Sequence, residues 1–250
     1  MMGAIGTGNI TPGVITASFG TSGTLYGCAA EPVIDPRGEI AAFCDSTDRW
    51  LPLVCTMNVT VVTEQVRGWF GWDLETLEEK IASVPAGAEG LSFLPYLNGE
   101  RTPNLPNSSG VLHGMNATNG TPAHIARAAM EGATLGLAYG LKRFDELGLT
   151  PTEIRLTGGG SKSKVWRQIS ADVFGVPVVG LATAEGASLG GAIQAAHVAG
   201  MGTYESLCGR LVTLDESTRC LPNPANTELY REKLERQTAL TTTLHASGHL

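Results

Sequence analysis

Strands and helices alternate in the second half of this 250-residue chain, and that alternation constrains the fold more than any other feature. A strand is predicted from Glu153 to Thr157, followed by a turn of three glycines, Gly158 to Gly160, and a helix from Lys162 to Phe174. A second strand, Val176 to Val179, leads into an Ala- and Gly-rich helix from about Ala187 to Ala199. This order predicts an α/β fold with a sheet at its core.

The turn formed by Gly158, Gly159 and Gly160 joins a strand end to a helix start, where free backbone N–H groups can hold an anion. Two common phosphate-binding patterns are absent, because Ser163 stands three positions after Gly160 and Ser161 directly precedes the lysine. Three glycines in succession lose more chain entropy than an ordinary turn requires, which indicates a group lying close to the backbone. From these residues alone, a ligand and a tight structural turn remain open alternatives.

A β-hairpin is predicted near the start of the chain. An apolar, β-branched run from Val14 to Phe19 and a second run from Thr24 to Cys28 flank the turn sequence GTSG. That turn consists of Gly20, Thr21, Ser22 and Gly23. A further strand is predicted from Trp50 to Thr56, and the residues after it have helical spacing.

The clearest helix signal begins at Thr121, a suitable N-cap, with Pro122 in the first helical position, and continues to Leu147. Glycines recur every four residues on one face of this helix at Gly132, Gly136 and Gly140. We expect that face to pack closely against a neighbouring element, since glycine allows two backbones to approach.

The composition excludes several classes of function. With 42% hydrophobic residues the chain can bury a sizeable core, as one large domain or two small ones. The net charge of -7, without any basic run, argues against nucleic acid or an anionic membrane as the main partner and favours a small-molecule ligand. The 5 cysteines form no C-x-x-C pair, so neither a disulfide framework nor a zinc site is predicted, and we expect a cytoplasmic location.

Four segments of the chain form a combined pattern. They are GTSG at Gly20 to Gly23, PYLNGERTP at Pro95 to Pro103, a long motif from Gly110 to Glu131, and GGGSKS followed by WRQISAD. This pattern resembles the C-terminal half of the FGGY family of carbohydrate kinases, and within the family it is most similar to members that phosphorylate xylulose. The resemblance covers nearly the whole chain, from GAIGTG near its start through the Ala- and Gly-rich helix.

The resemblance implies an actin-like, ribonuclease-H-like ATPase fold. It places a nucleotide-binding domain over residues 1–222, and a C-terminal helix and tail over residues 223–250. Two groups of residues would contact ATP: the first, at its β and γ phosphates, is Gly20, Thr21, Ser22 and Gly23, and the second is Gly158, Gly159, Gly160 and Ser163. Thr60 and Glu64 fall where some family members touch nucleotide, although the residue types differ here.

The activity implied by the resemblance is phosphorylation of a sugar by ATP with Mg²⁺, the acceptor being D-xylulose, or gluconate, ribulose or glycerol as in sibling kinases. The family's general base is an aspartate that we expect just before the position of Met1, so no catalytic residue and no metal ligand is assigned within the chain. The partners are then the nucleotide, the sugar and an N-terminal kinase half, with a homodimer left open. We expect the isolated chain to be inactive. A standalone, non-catalytic nucleotide-binding module is the alternative.

Two other residue groups have structural interpretations. Glu100 and Arg101 are interpreted as an ion pair that holds the GERTP turn rather than as substrate contacts. Asp35, the first aspartate of the chain, lies in a Pro-flanked loop without a glycine-rich context, and it is therefore not assigned as the general base.

Overall fold

The computed structural model describes residues 1–183 and 185–250. Its main feature is a seven-stranded mixed sheet in the order β3-β4-β2-β1-β7-β8-β9. The strands of this sheet are β1 (Val14–Phe19), β2 (Gly23–Gly27), β3 (Ala41–Cys44), β4 (Trp50–Thr56), β7 (Glu153–Thr157), β8 (Val178–Leu181) and β9 (Leu214–Cys220). Two short strands, β5 (Ser92–Leu94) and β6 (Val111–His113), pair antiparallel with each other in a separate small sheet.

The pairing pattern divides the sheet into two parts. Strands β1, β7 and β8 are parallel, which is what alternating strands and helices predict. The predicted hairpin is confirmed, since β1 and β2 pair antiparallel across the GTSG turn, and β4 continues the antiparallel side. Strand β8 begins two residues later than predicted, because Gly175 caps the preceding helix in a left-handed conformation and the chain then turns through Pro177.

Helices cover both faces of the sheet. They are α1 (Met2–Gly6), α2 (Thr60–Trp69), α3 (Leu74–Ala82), α4 (Pro122–Glu146), α5 (Lys164–Phe174), α6 (Gly186–Val198), α7 (Tyr204–Leu211) and α8 (Pro224–Ala246). The larger core joins one face of β1, at Ile15, Ala17 and Phe19, to helices α2 to α5. A smaller core around Ile5 and Ile193 lies among α1, α6 and α7 on the other face. None of the described helices is both long and apolar enough to span a membrane.

Helix α4 runs through the centre of the larger core. Thr121 caps it by accepting a hydrogen bond from the His124 N–H, as its sequence predicts. Side chains at Gly132 and Gly140 would collide with Phe93 and Val54, so close packing is confirmed at these two glycines. The expectation is wrong for Gly136, because nothing stands within 4 Å of the position that its Cβ would occupy.

A buried polar network fastens α8 to this core. The Arg127 guanidinium donates to Glu131 Oε1 at 2.7 Å and to Tyr230 Oη at 2.9 Å, and Tyr230 Oη donates in turn to Glu131. The Lys233 ammonium donates to the carbonyls of Gly87 and Leu91 at 2.7 and 3.0 Å. Each buried charge therefore has an opposite charge or a backbone group beside it, which offsets the cost of removing it from water.

Candidate functional site

Two turns leave the same edge of the sheet side by side. In the β1–β7 register Ser18 lies opposite Thr157, so the GTSG turn and the glycine turn both begin one or two residues beyond that pair. Strand β4 runs in the same direction as β1, because each pairs antiparallel with β2, and it also ends at this edge. The carboxyl edge of parallel strands is the usual place for ligands in α/β proteins, so this edge is the candidate site.

The GTSG turn is held by the start of α2. The Gly20 carbonyl accepts a hydrogen bond from the Thr60 N–H at 3.0 Å, and the Thr21 carbonyl accepts from the Val59 N–H at 3.1 Å. Gly23 is buried, with Val59 and Leu137 filling the space where a side chain would stand. The side chains of Thr21 and Ser22 are exposed. The turn therefore has a fixed backbone and two hydroxyl groups free to meet a ligand.

The three glycines of the second turn have three different environments. Gly158 has φ +85°, and a Cβ there would stand 2.5 Å from the Phe19 carbonyl oxygen. At Gly160 a Cβ would lie 3.0 Å from the Phe19 side chain and 3.2 Å from the Trp166 ring. Gly159 has open space on its free side. Packing against β1 and α5 thus explains two of these glycines, and the third faces outward.

Helix α5 starts later than predicted. Residues 159–162 form a 3₁₀ turn, and Ser163 is the N-cap of α5, its Oγ accepting the Trp166 N–H at 2.9 Å. The Trp166 indole in turn donates to Thr134 Oγ1 at 2.9 Å and packs on Phe19, with 5.1 Å between the ring centroids. The short 3₁₀ turn is what brings Gly159 to the surface between β7 and α5.

A cavity of about 590 Å³ opens between the glycine turn and helices α2 and α3. Its lining includes Gly159, Gly160 and Ser163 from the turn, and Thr60 and Glu64 from α2. The apolar part of the wall is formed by Leu74, Leu77, Met130 and Trp166. A cavity of this size with an apolar wall and a few polar groups suits a nucleoside-sized ligand.

The residues expected to contact ATP therefore fall into two neighbouring groups. Gly159, Gly160 and Ser163 line the cavity, together with Thr60 and Glu64, whereas the GTSG turn lies beside it at the same edge of the sheet. Gly158 faces a second cavity of about 490 Å³ on the β8 side of the glycine turn. Sequence reasoning did not identify Leu74, Leu77 and Met130 as lining residues; the amphipathic spacing of α3 was the available signal for the first two.

Within residues 1–183 and 185–250, no group of three or more His, Cys, Asp or Glu side chains is placed to hold a metal ion. Magnesium that accompanies ATP is held by one or two carboxylates together with phosphates and waters, so a cluster of three protein ligands is not required for it, and no step is assigned to Mg²⁺ on these residues.

Glu100 lies behind the GTSG turn, and the predicted ion pair with Arg101 is wrong. The Glu100 side chain is buried, and its carboxylate accepts hydrogen bonds from the Met57 and Arg101 N–H groups at 2.6 and 2.7 Å and from Asn58 Nδ2 at 3.0 Å. Arg101 contributes only its backbone here, and its side chain is exposed. The structural role expected of Glu100 is thus carried by neutral N–H donors rather than by a cation.

Asp35 lies elsewhere in the fold. Its carboxylate accepts the backbone N–H groups of Arg37, Glu39 and Ile40 at 2.9 to 3.0 Å and pairs with the buried Arg143 guanidinium at 2.6 Å. Burial alone would raise the pKa of Asp35, but these hydrogen bonds outweigh burial and lower it. Asp35 therefore organises a loop on α4.

Comparisons with known proteins agree with this geometry. Residues 15–199 match the model of the FGGY family of carbohydrate kinases, C-terminal domain. The xylulose kinase of Haemophilus influenzae is 46% identical over 236 residues, which are 94% of this chain and 48% of that protein. The chain thus spans about half the length of that relative.

Solved structures give the same result. The ligand-bound xylulose kinase from Lactobacillus acidophilus superimposes with a TM-score of 0.90 at 26% identity, over 98% of this chain and 50% of that one. Gluconate kinase from Lactobacillus acidophilus does so with a TM-score of 0.89, also at 26% identity and with the same coverage. The predicted actin-like ATPase fold is therefore confirmed. This chain belongs to the FGGY family of carbohydrate kinases and represents its C-terminal domain.

Proposed function

We propose that this chain holds ATP for a sugar kinase. The observation that carries the proposal is the cavity of about 590 Å³ at the carboxyl edge of the sheet, lined by Gly159 and Ser163 and adjacent to the GTSG turn. The apolar wall would receive the base, and the exposed hydroxyls of Thr21 and Ser22 would meet the phosphates. Membership of a carbohydrate kinase family supports the same assignment.

The residues at this edge suit phosphoryl transfer because that reaction depends on positioning and on neutralising spread negative charge. ATP, when bound, supplies the phosphoryl group. Backbone N–H groups and hydroxyls on a rigid turn can orient its phosphates without moving during the reaction. Lys162 and Lys164 line the same cavity and add positive charge to it. The roles of this chain are therefore to bind and to orient the nucleotide.

We propose D-xylulose as the acceptor of the whole protein, since the Haemophilus influenzae relative is a xylulose kinase. Gluconate is the second candidate, because a gluconate kinase shares the fold with a TM-score of 0.89. No acceptor-binding residue is assigned within this chain, so the choice of sugar is tested on a two-domain protein that contains it. Phosphorylation rates with D-xylulose, gluconate, ribulose and glycerol, measured side by side, decide among the four.

Binding of ATP to the chain is the direct test of the first proposal. Isothermal titration calorimetry should detect saturable binding, and replacing Gly159 by leucine should weaken it at least about tenfold, because the new side chain fills the cavity. Gly209→Leu is the matched control, since Gly209 also has open space around it but lies on α7 outside the cavity. Absence of binding to the unsubstituted chain at millimolar ATP would refute the proposal.

We also propose that the 250-residue chain alone transfers no phosphoryl group at a useful rate. A bound donor without a positioned acceptor and base lacks the proximity contribution, which reaches about 7 to 11 kcal/mol in favourable cases. A coupled assay for ADP release, with D-xylulose present and absent, measures this. Sugar-dependent turnover by the purified chain would contradict it.

A further inference from the structure

Glu100 combines features that are rarely found together. Its side chain is 4% exposed, and its carboxylate accepts three hydrogen bonds, all from uncharged N–H groups. Among residues 1–183 and 185–250 no Lys, Arg or His nitrogen forms an ion pair with it. Burial raises the pKa of Glu100 despite the hydrogen bonds from Asn58 and Met57 that oppose it. A buried carboxylate of this kind is costly, so the contacts it makes must be important for the local structure.

The groups that Glu100 holds lead directly to the GTSG turn. Met57 and Asn58 form the link between β4 and α2, and the next two residues, Val59 and Thr60, donate their N–H groups to the carbonyls of the turn. Asn58 is bound on two further sides, because its Nδ2 also donates to the Gly99 carbonyl at 2.6 Å and its Oδ1 accepts the Asn98 N–H. The loop that carries Glu100 therefore fixes the start of α2, and the start of α2 fixes the turn.

A carboxylate is required at this position because every contact is a donor. Met57, Arg101 and Asn58 all present N–H groups, and an ionised carboxylate is the side chain that accepts on both of its oxygens. A glutamine of the same size would turn its own NH₂ group towards one of these donors. With both oxygens occupied and the side chain buried, Glu100 has no free face for a substrate.

We propose that Glu100 is a positioning residue that sets the GTSG turn for the phosphates of ATP, acting through Asn58 and the first residues of α2. The effect on phosphate binding rests on the proposed function, because it requires that ATP binds beside the GTSG turn. Its structural part, the link from Glu100 to the turn, stands independently of any ligand. The two parts are tested by separate measurements.

Hydrogen–deuterium exchange tests the link without ligand. In Glu100→Gln, the amides of Val59, Thr60 and Val61 should exchange at least about tenfold faster, while those of β7 keep their protection. Asp35→Asn is the matched control, because Asp35 is also a buried carboxylate that accepts backbone N–H groups in a loop. In that variant faster exchange should be confined to residues 37–40. Unchanged exchange at the start of α2 in Glu100→Gln would overturn the inference.

If Glu100→Gln does not fold, Asn58→Ala provides the second variant. It removes the contact with Glu100 Oε2 and leaves the hydrogen bonds from the Met57 and Arg101 N–H groups in place. The same rise in exchange at the start of α2 is expected, and its absence would equally overturn the inference.

The second measurement compares ATP with adenosine. If Glu100 sets the phosphate turn, Glu100→Gln should weaken ATP at least about tenfold and adenosine no more than about twofold, since of the cavity lining only Thr60 belongs to the segment that Glu100 holds. A general loss of structure would weaken both ligands together, and that result would overturn the positioning role. Failure of the unsubstituted chain to bind ATP would instead refute the proposed function, and the exchange data would still decide the structural link.

Discussion

Each glycine of the Gly158–Gly160 turn can be replaced by alanine, one at a time. The three variants distinguish the glycines that packing requires from the one that has open space beside it. The three positions are adjacent, and alanine adds the same methyl group at each. Their surroundings differ: a backbone carbonyl at Gly158, two side chains at Gly160, and open space at Gly159. The structure therefore predicts three different changes in the free energy of unfolding from one chemical change.

The magnitudes follow from these surroundings. Gly158 has φ 85° and ψ 178°, a region open essentially to glycine, so alanine adds about 1 to 3 kcal/mol of strain. Its Cβ would also stand 2.5 Å from the Phe19 carbonyl oxygen, and backbone must move to relieve this, at a further cost of about 1 to 3 kcal/mol. We expect Gly158→Ala to destabilise by about 4 kcal/mol.

The other two substitutions should cost much less. At Gly160 the neighbours are the side chains of Phe19 and Trp166, at 3.0 and 3.2 Å, which can shift by a few tenths of an ångström, so about 1 kcal/mol of destabilisation is expected. At Gly159 alanine meets nothing and restricts the unfolded chain, so stability should be unchanged or rise by up to about 1 kcal/mol.

Urea denaturation of the three variants measures these differences. With a slope of about 3 kcal/mol per molar urea, Gly158→Ala should lower the midpoint by about 1.3 M, and Gly159→Ala should leave it within about 0.3 M of the parent. Equal destabilisation by Gly158→Ala and Gly159→Ala would refute the reasoning, because it would mean that these two glycines have equivalent surroundings. A neutral Gly158→Ala would refute it as well.

Three further predictions concern the rest of the fold. Gly136→Ala should raise the free energy of unfolding by about 0.5 to 1 kcal/mol, because alanine meets no atom there and favours the helix; thermal unfolding measures this, and a lower melting temperature would contradict it. Lys233→Ala should cost about 1 to 3 kcal/mol, because Glu131 keeps Arg127 but loses the Lys233 ammonium at 3.2 Å, and the buried carbonyls of Gly87 and Leu91 lose their donor; urea denaturation measures this, and unchanged stability would contradict it. Asp35 has a lowered pKa, so its stabilisation is present above its unfolded value of 3.8 and disappears as pH falls through the folded value. The stability difference between the parent and Asp35→Asn should therefore shrink as pH falls below about 4, and a constant difference would refute this assignment.

The elements that the sequence predicted well have apolar residues over most of their length and clear signals at their boundaries. Strand β4 was predicted at its observed bounds, Trp50–Thr56, because it combines β-branched and apolar residues and is followed at once by helical spacing. Helix α4 was recognised by its cap at Thr121 and its long apolar pattern. In β4 the buried residues 52, 54 and 56 alternate, whereas α4 is buried on all sides from Ala126 to Ala138, so the cap and the length of the apolar run carry its signal.

The strands missed by sequence reasoning lie at the edges of the sheet. All four residues of β3 are exposed, and β9, with the sequence LDESTRC, includes no fully buried residue. Such strands form because backbone groups pair with a neighbouring strand, and that pairing leaves no hydrophobic period in the sequence. The five-residue helix α1 is too short and too glycine-rich to show a period either.

The error at Gly136 has a geometric cause. Residues four apart on a helix rise by about 6 Å and rotate by about 40° beyond a full turn, so Gly132 and Gly140 point in directions about 80° apart. They meet different strands, Gly132 at Phe93 in β5 and Gly140 at Val54 in β4. Gly136 lies between these two contacts and faces neither, which is why equal spacing in the sequence did not mean equal packing.

In the candidate site, some residues form contiguous motifs, whereas others depend on partners that are far away in the sequence. The GTSG and glycine turns are contiguous motifs, so their residues could be selected from the sequence, and the parallel pairing of β1 with β7 then brings them together. Glu100 reaches its partners Met57 and Asn58 across more than forty residues, and no spacing rule connects them. Residues proposed to contact a ligand are therefore easier to find in a sequence than the residues that hold them in place. Since a phosphate turn must be rigid to orient its ligand, substitutions at the supporting residues should alter nucleotide binding as strongly as substitutions in the turn itself.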